Sequence, residues 1–213
     1  MGSLAAIVIA GGEARRFGAD KLALRDAEGR TLLEVTVAGV AQVADPVIVV
    51  GPQPPGFRQL DEVVTLQNVV QLAESVGRVP APVVWTREDP PGGGPCAALI
   101  AGLARVPDEA THVAVLAGDA PAGAAAVTAL RQVIDDAAAA VVTDESGREQ
   151  PMTAVYAVPA LKAAAAAYGE GRDMSIRQVL DDLRPQTVVA IIDQWSASSD
   201  IDLPEDAGRL GFS

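Results

Sequence analysis

The chain has 213 residues, 16 basic against 28 acidic, for a formal net charge of −12, which excludes a general nucleic-acid or anionic-lipid surface and leaves any anionic ligand to a local arrangement of groups. Hydrophobic residues make up 49% but aromatics only 3%, so the core must be built from Val, Leu, Ile and Ala, as in α/β layers. A single cysteine, Cys96, excludes an intrachain disulfide, and no leader or apolar run of about 18 residues is seen, so a soluble cytoplasmic protein is expected.

Residues 4–10 (LAAIVIA) run apolar into Gly11 and Gly12, the pattern of a buried strand feeding a turn. Thr31, with Glu34 three residues on, predicts a capped helix, and PVIVVG at 46–51 a second strand. Leu60, Val63, Val64, Val70, Ala73 and Val76 predict a helix between the Pro-rich connectors of 52–82. A strand at 82–86, an irregular loop at 87–95 and a helix at 96–106 behind Pro95 come next, then a strand at 112–117 ending in GDAP. A helix over AGAAAVTALRQVIDD, strands at 139–143 and 152–157, helices at about 159–168 and 174–184, a strand at 187–192 and a short closing helix complete the chain. The alternation predicts an α/β fold, one Rossmann-like domain over 1–213 with a mostly parallel central sheet and helices on both faces.

Ligands of such sheets bind beyond the carboxyl ends of the strands. The glycine loop there is neither G-x-G-x-x-G nor a Walker A loop, but Gly11 and Gly12 let backbone N–H groups approach an anion while Arg15, Arg16 and Lys21 supply charge. The plain alternative is a βα turn with solvated cations. Asp119, at the end of a strongly apolar strand, is either a cap or a Mg²⁺ ligand. Asp200 and Asp202 alternate along an extended segment, so at most one faces the same metal, and Asp202 could equally cap the last helix. Gly92, Gly93 and Gly94 would let backbone press against a flat ring. His112, the only histidine, reads as structural, and Cys96 as packing. Arg148, Gln150, Arg172, Ser175 and Arg177 offer basic and polar groups for a phosphate-bearing acceptor, with Arg177 equally a solvated helix residue.

Taken together, AGGEARRFGADKLAL, WTREDPPGGGPCAALIAGL, LAGDAP, GREQPMTAVY and DIDLPED resemble, in order, the motifs of MobA-like nucleotidyltransferases, in particular the molybdenum cofactor guanylyltransferases. The resemblance implies a nucleotidyltransferase domain that moves GMP from GTP to the phosphate of molybdopterin, releasing pyrophosphate, with Mg²⁺ as cofactor. Under it, Lys21, Arg15 and Asp119 are the catalytic set. Ile9, Ala10, Gly11, Gly12, Asp89, Gly94 and Pro95 join Lys21 and Asp119 around the nucleotide. Asp119 and Asp202 would hold the metal. Gly51 stands where the family often carries a polar base-contacting residue, and the D-I-D of 200–202 resembles the related cytidylyltransferases. The acceptor side falls to Arg148, Gln150, Arg172 and Ser175. Expected partners are GTP and molybdopterin, with molybdoenzymes or their chaperones downstream, for a monomer or weak oligomer. The alternatives are a cytidylyltransferase, a nucleotidyltransferase for another phosphate acceptor, and a nucleotide-binding adaptor.

Overall fold

The computed structural model describes residues 2–11, 20–54, 57, 81–184, 186–194, 204–209 and 211–213. Among these residues, seven strands form one sheet: β1 (Ser3–Ile9), β2 (Val47–Val50), β3 (Val83–Thr86), β4 (Ala110–Ala117), β5 (Ala139–Thr143), β6 (Glu149–Ala157) and β7 (Val188–Ile192). Their order is β3-β2-β1-β4-β6-β5-β7, parallel throughout except that β6 runs antiparallel to both its neighbours. The described helices are α1 (Leu32–Val40), α2 (Pro95–Leu103), α3 (Gly123–Val133), α4 (Val158–Ala165), α5 (Ile176–Leu183) and α6 (Pro204–Arg209). The helix predicted across 52–82 falls almost wholly on residues outside those described.

The central strands carry long apolar runs, residues 4–9 of β1, 47–50 of β2 and 113–117 of β4, because both faces of the sheet are covered there. Along β1, Ala5, Ile7 and Ile9 point to a layer with Leu99 of α2, Leu161 of α4 and Leu180 of α5. Ala6 and Val8 point the other way, onto Leu33 and Val37 of α1 and Val127 and Leu130 of α3. The capping box at the start of α1 is as the Thr31–Glu34 spacing predicts: Thr31 N donates to Glu34 Oε2 at 2.7 Å and Glu34 N to Thr31 Oγ1 at 3.1 Å.

The sequence places the start of the sixth strand at 152, but β6 begins at Glu149. The cause is Pro151, which removes a ladder donor and argues against a central strand. The chain accommodates it with a register break: Val141 pairs with Ala154, whereas Val142 pairs with Gln150. Residues 151–153 are thus carried as a bulge. Tyr156, fully buried, ties the bulge down by donating its hydroxyl to Pro151 O at 2.8 Å, and burial pushes its pKa up. Tyr156→Phe leaves the ring's packing and removes that bond, so urea denaturation is expected to show a loss of about 1–2 kcal/mol. An unchanged midpoint would mean the bulge holds without it.

Candidate functional site

The ends of β1, β2, β3 and β4 form a continuous floor. Ala10 N donates to Val50 O at 2.8 Å, Gly51 N to Thr86 O at 3.0 Å and Gly118 N to Ile9 O at 2.9 Å, so the ladder runs one step beyond the strands. Gly51 is required by this closeness: a methyl there would lie 2.7 Å from Ala10 C and 2.8 Å from its oxygen. Any side chain at this position has no room to start in this backbone.

Above the floor, Lys21 opens a 3₁₀ turn (Lys21–Ala23) entered through Asp20, whose Oδ1 accepts from Leu22 N at 3.1 Å. Behind it, Leu32 N donates to Leu24 O at 2.8 Å, Arg25 and Ser213 exchange backbone bonds at 2.9 Å each way, and Phe212 is buried against Leu32. Asp119 comes from the turn after β4, closed by Ala120 N donating to Ala117 O at 3.2 Å. The two side chains meet: Lys21 Nζ is ion-paired with Asp119 Oδ2, at 23% and 11% exposure. A half-buried ammonium and carboxylate in contact are ready to exchange partners, the first for phosphate oxygens and the second for a cation.

The loop after β3 lies alongside. Asp89, taken from the sequence as the carboxylate facing the base, is exposed. Its neighbour Glu88 turns inward: Oε1 accepts from Gly92 N at 2.9 Å and lies 3.9 Å from where a side chain on Gly11 would begin, while Oε2 is buried and has no hydrogen-bond partner among the described residues. A buried carboxylate oxygen without a donor is costly and is suited to receiving one from a ligand. The sequence clue was the Gly92 amide four residues after Glu88. Gly94 caps α2 with φ +88° and Pro95 occupies its first turn.

On the far side, the turn joining β5 to β6 is built on Asp144. Its carboxylate accepts from Ser146 Oγ at 2.6 Å, Arg148 N at 3.0 Å and Gln150 Nε2 at 3.1 Å, and these bonds, the Ser146 hydroxyl first, hold its pKa below the usual carboxylate range. Arg148 is exposed on this turn. The last β4–β6 pair is Leu116 with Thr153, so Gln150 lies on the part of β6 that overhangs β4, at the sheet end where Asp119 stands. Arg172 and Ser175 are engaged elsewhere. Arg172 Nη1 donates to Pro90 O at 2.9 Å, and Ser175 caps α5, its N–H donating to Gln178 Oε1 at 3.0 Å. Arg177, half-buried, donates to Glu149 O and so fastens α5 to β6 instead of being solvated.

Ile9, Ala10, Gly11, Gly51, Lys21 and Asp119 are thus gathered at one sheet end, with Asp89, Gly94 and Pro95 on the adjoining loop. Gly12, Arg15, Asp200 and Asp202 lie outside the described residues. Among those described, no three His, Cys, Asp or Glu side chains cluster as a metal cage. Cys96 is fully buried.

His112 pairs with Leu4 at the opposite end of the sheet, in keeping with a structural role. Desolvation, then the charge of Arg131, depresses its pKa below the ordinary 6.5. The unfolded chain therefore binds the extra proton first as pH falls, so the contribution of His112 is complete above pH 6.5 and is lost through the lower folded value. Urea midpoints between pH 5 and 8 are expected to fall more steeply on acidification in the wild type than in His112→Gln; parallel curves would remove the assignment.

Beyond the ends of parallel strands, the Gly11 backbone, a lysine and a strand-end aspartate make up the kind of site at which α/β proteins bind phosphate-bearing nucleotides. The model of the MobA-like NTP transferase domain matches residues 6–188. A "Probable molybdenum cofactor guanylyltransferase" of Opitutus terrae is 32% identical over 214 residues, 97% of this chain and 94% of that one. One of the same description from Synechococcus elongatus is 32% identical over 161 residues, 72% of each. The crystal structure of molybdopterin-guanine dinucleotide biosynthesis protein A from Archaeoglobus fulgidus shares the fold, with TM-score 0.59 at 19% identity over 97% of this chain and 96% of that one. The chain belongs to the MobA-like NTP transferase family and is a nucleotidyltransferase.

Proposed function

We propose that this protein transfers GMP from GTP to the phosphate of molybdopterin, with release of pyrophosphate and dependence on Mg²⁺, as one nucleotidyltransferase domain over 1–213 working in the cytoplasm. The observation that carries the reading is the meeting of Lys21 and Asp119 at the sheet end where β1 and β4 finish. The relatives' names support the choice of guanine and of the molybdenum cofactor. No described helix is long and apolar enough to cross a membrane.

The acceptor needs little activation. A phosphate monoester has its second pKa near about 6 and is largely dianionic at neutral pH, so no strong base is required of the protein. What the chain must supply is alignment with the α-phosphate and neutralisation of the charge that develops on pyrophosphate. Ile9, Ala10 and Gly11 bring backbone to the nucleotide over the Gly51 floor. Lys21 holds the triphosphate as a point charge, and Arg15 joins it as a planar fork. Asp89 with Glu88, Gly94 and Pro95 flank the base. Arg148 and Gln150 flank the acceptor phosphate, whereas Arg172 and Ser175 are left to the loop and helix cap that already engage them.

The residues fit a magnesium ion: Mg²⁺ prefers hard oxygen ligands and is commonly held by one or two carboxylates with substrate phosphates, and Asp119 offers one such carboxylate next to the triphosphate lysine. Asp119 would hold it, with Asp202 as the second carboxylate by resemblance. The ion, when bound, neutralises phosphate charge and favours the leaving pyrophosphate.

The test is a transfer assay with Mg²⁺, molybdopterin and each of GTP and CTP, following pyrophosphate and the dinucleotide product. GTP-dependent product is expected. CTP-dependent product would move the protein to the cytidylyl branch, and no product with either would sink molybdopterin as the acceptor.

A further inference from the structure

The segment 171–174 braces the loop that follows β3. Arg172 Nη1 donates to Pro90 O at 2.9 Å, and its stem lies 3.6 Å from where a Gly93 side chain would start. Asp173 N donates to Gly93 O at 2.8 Å with Asp173 at φ +56°, a conformation side chains rarely adopt, and Cys96 N donates back to Met174 O at 3.3 Å. The brace is seated by Gly171 (φ +66°): a methyl there would meet Cys96 Sγ at 2.9 Å and Ala97 N at 3.0 Å. Three bonds from one segment therefore set the path of 90–96, the same loop whose Gly92 amide holds Glu88 beside Gly11.

We propose that Arg172 is a positioning residue for nucleotide recognition: through the Pro90 carbonyl it keeps the 88–94 loop in the shape that receives the base, without touching the substrate. This rests on the nucleotidyltransferase reading above. A carbonyl bound to a guanidinium is held more firmly than one bound to water, because the donor is charged and its fork is fixed by packing on Gly93. The effect should fall on the base end of the nucleotide and spare the triphosphate end, which belongs to Lys21.

Calorimetry of wild type, Arg172→Ala and Arg172→Lys with Mg·GTP and with Mg·tripolyphosphate, joined to steady-state kinetics, tests it. Arg172→Ala is expected to bind GTP about tenfold more weakly and to raise KM for GTP about tenfold with kcat within twofold. Tripolyphosphate binding is expected to be unchanged, and Arg172→Lys, which can still donate to Pro90 O, to recover part of the loss. Unchanged GTP affinity in a wild type that prefers GTP would overturn the brace alone. So would an equal loss for tripolyphosphate, or a fall in kcat at constant KM, since either means direct contact with phosphate or acceptor. A wild type that binds tripolyphosphate but distinguishes no nucleotide would overturn the guanylyltransferase reading and the brace with it.

Discussion

Replacing Asp119 by asparagine is expected to lower guanylyl transfer about 10²- to 10³-fold while the protein melts as a folded chain. Asparagine keeps the shape of the side chain and loses its charge, so the proposed Mg²⁺ ligand and one ion-pair partner of Lys21 disappear together. The stability cost should be small, because Lys21 at 23% exposure keeps access to water. Turnover measured against Mg²⁺ concentration, with a thermal melt of the same sample, reads both effects. A fully active variant would remove Asp119 from the chemistry, and an unfolded one would make it a structural residue.

Gly51→Ala is expected to act in the opposite way, on stability first. Its methyl would lie 2.7 Å from Ala10 C, 2.8 Å from Ala10 O and 2.9 Å from Gly11 N, all of them backbone atoms. Ala10 is held by Val50 O and flanked by Gly118 bonded to Ile9 O, so none can give without parting β1 from β2. A forced shift of packed backbone costs about 2–4 kcal/mol, or roughly 10 °C in Tm for a chain of this size. Calorimetric melting checks it, and a Tm within 2 °C of wild type would show that the floor is softer than its packing implies.

Much of the sheet was legible because a strand stretch covered on both faces must be apolar, as residues 4–9 of β1, all of β2 and residues 113–117 of β4 are. The Pro151 bulge was not: a proline argues against a central strand, and the compensating bond from Tyr156 is a tertiary contact. At the site, Lys21 and Asp119 each stood out locally, one behind a glycine turn and one at a strand end. Their contact depends on β1 lying beside β4, which no local pattern reports. The inward turn of Glu88 beside the exposed Asp89 was not legible, since adjacent residues in a Pro-Gly loop follow no periodicity. Arg172 and Ser175 were legible as polar groups by chemistry, whereas the bond of Arg172 to Pro90 O is a tertiary contact that no local pattern reports.

The most direct test of the central claim is titration calorimetry of the protein with GTP, CTP, ATP and UTP, each with and without Mg²⁺. Tighter binding of GTP than of the other three, strengthened by Mg²⁺ and lost in Lys21→Ala, is the predicted result. Failure to bind any triphosphate with Mg²⁺ present would contradict the account.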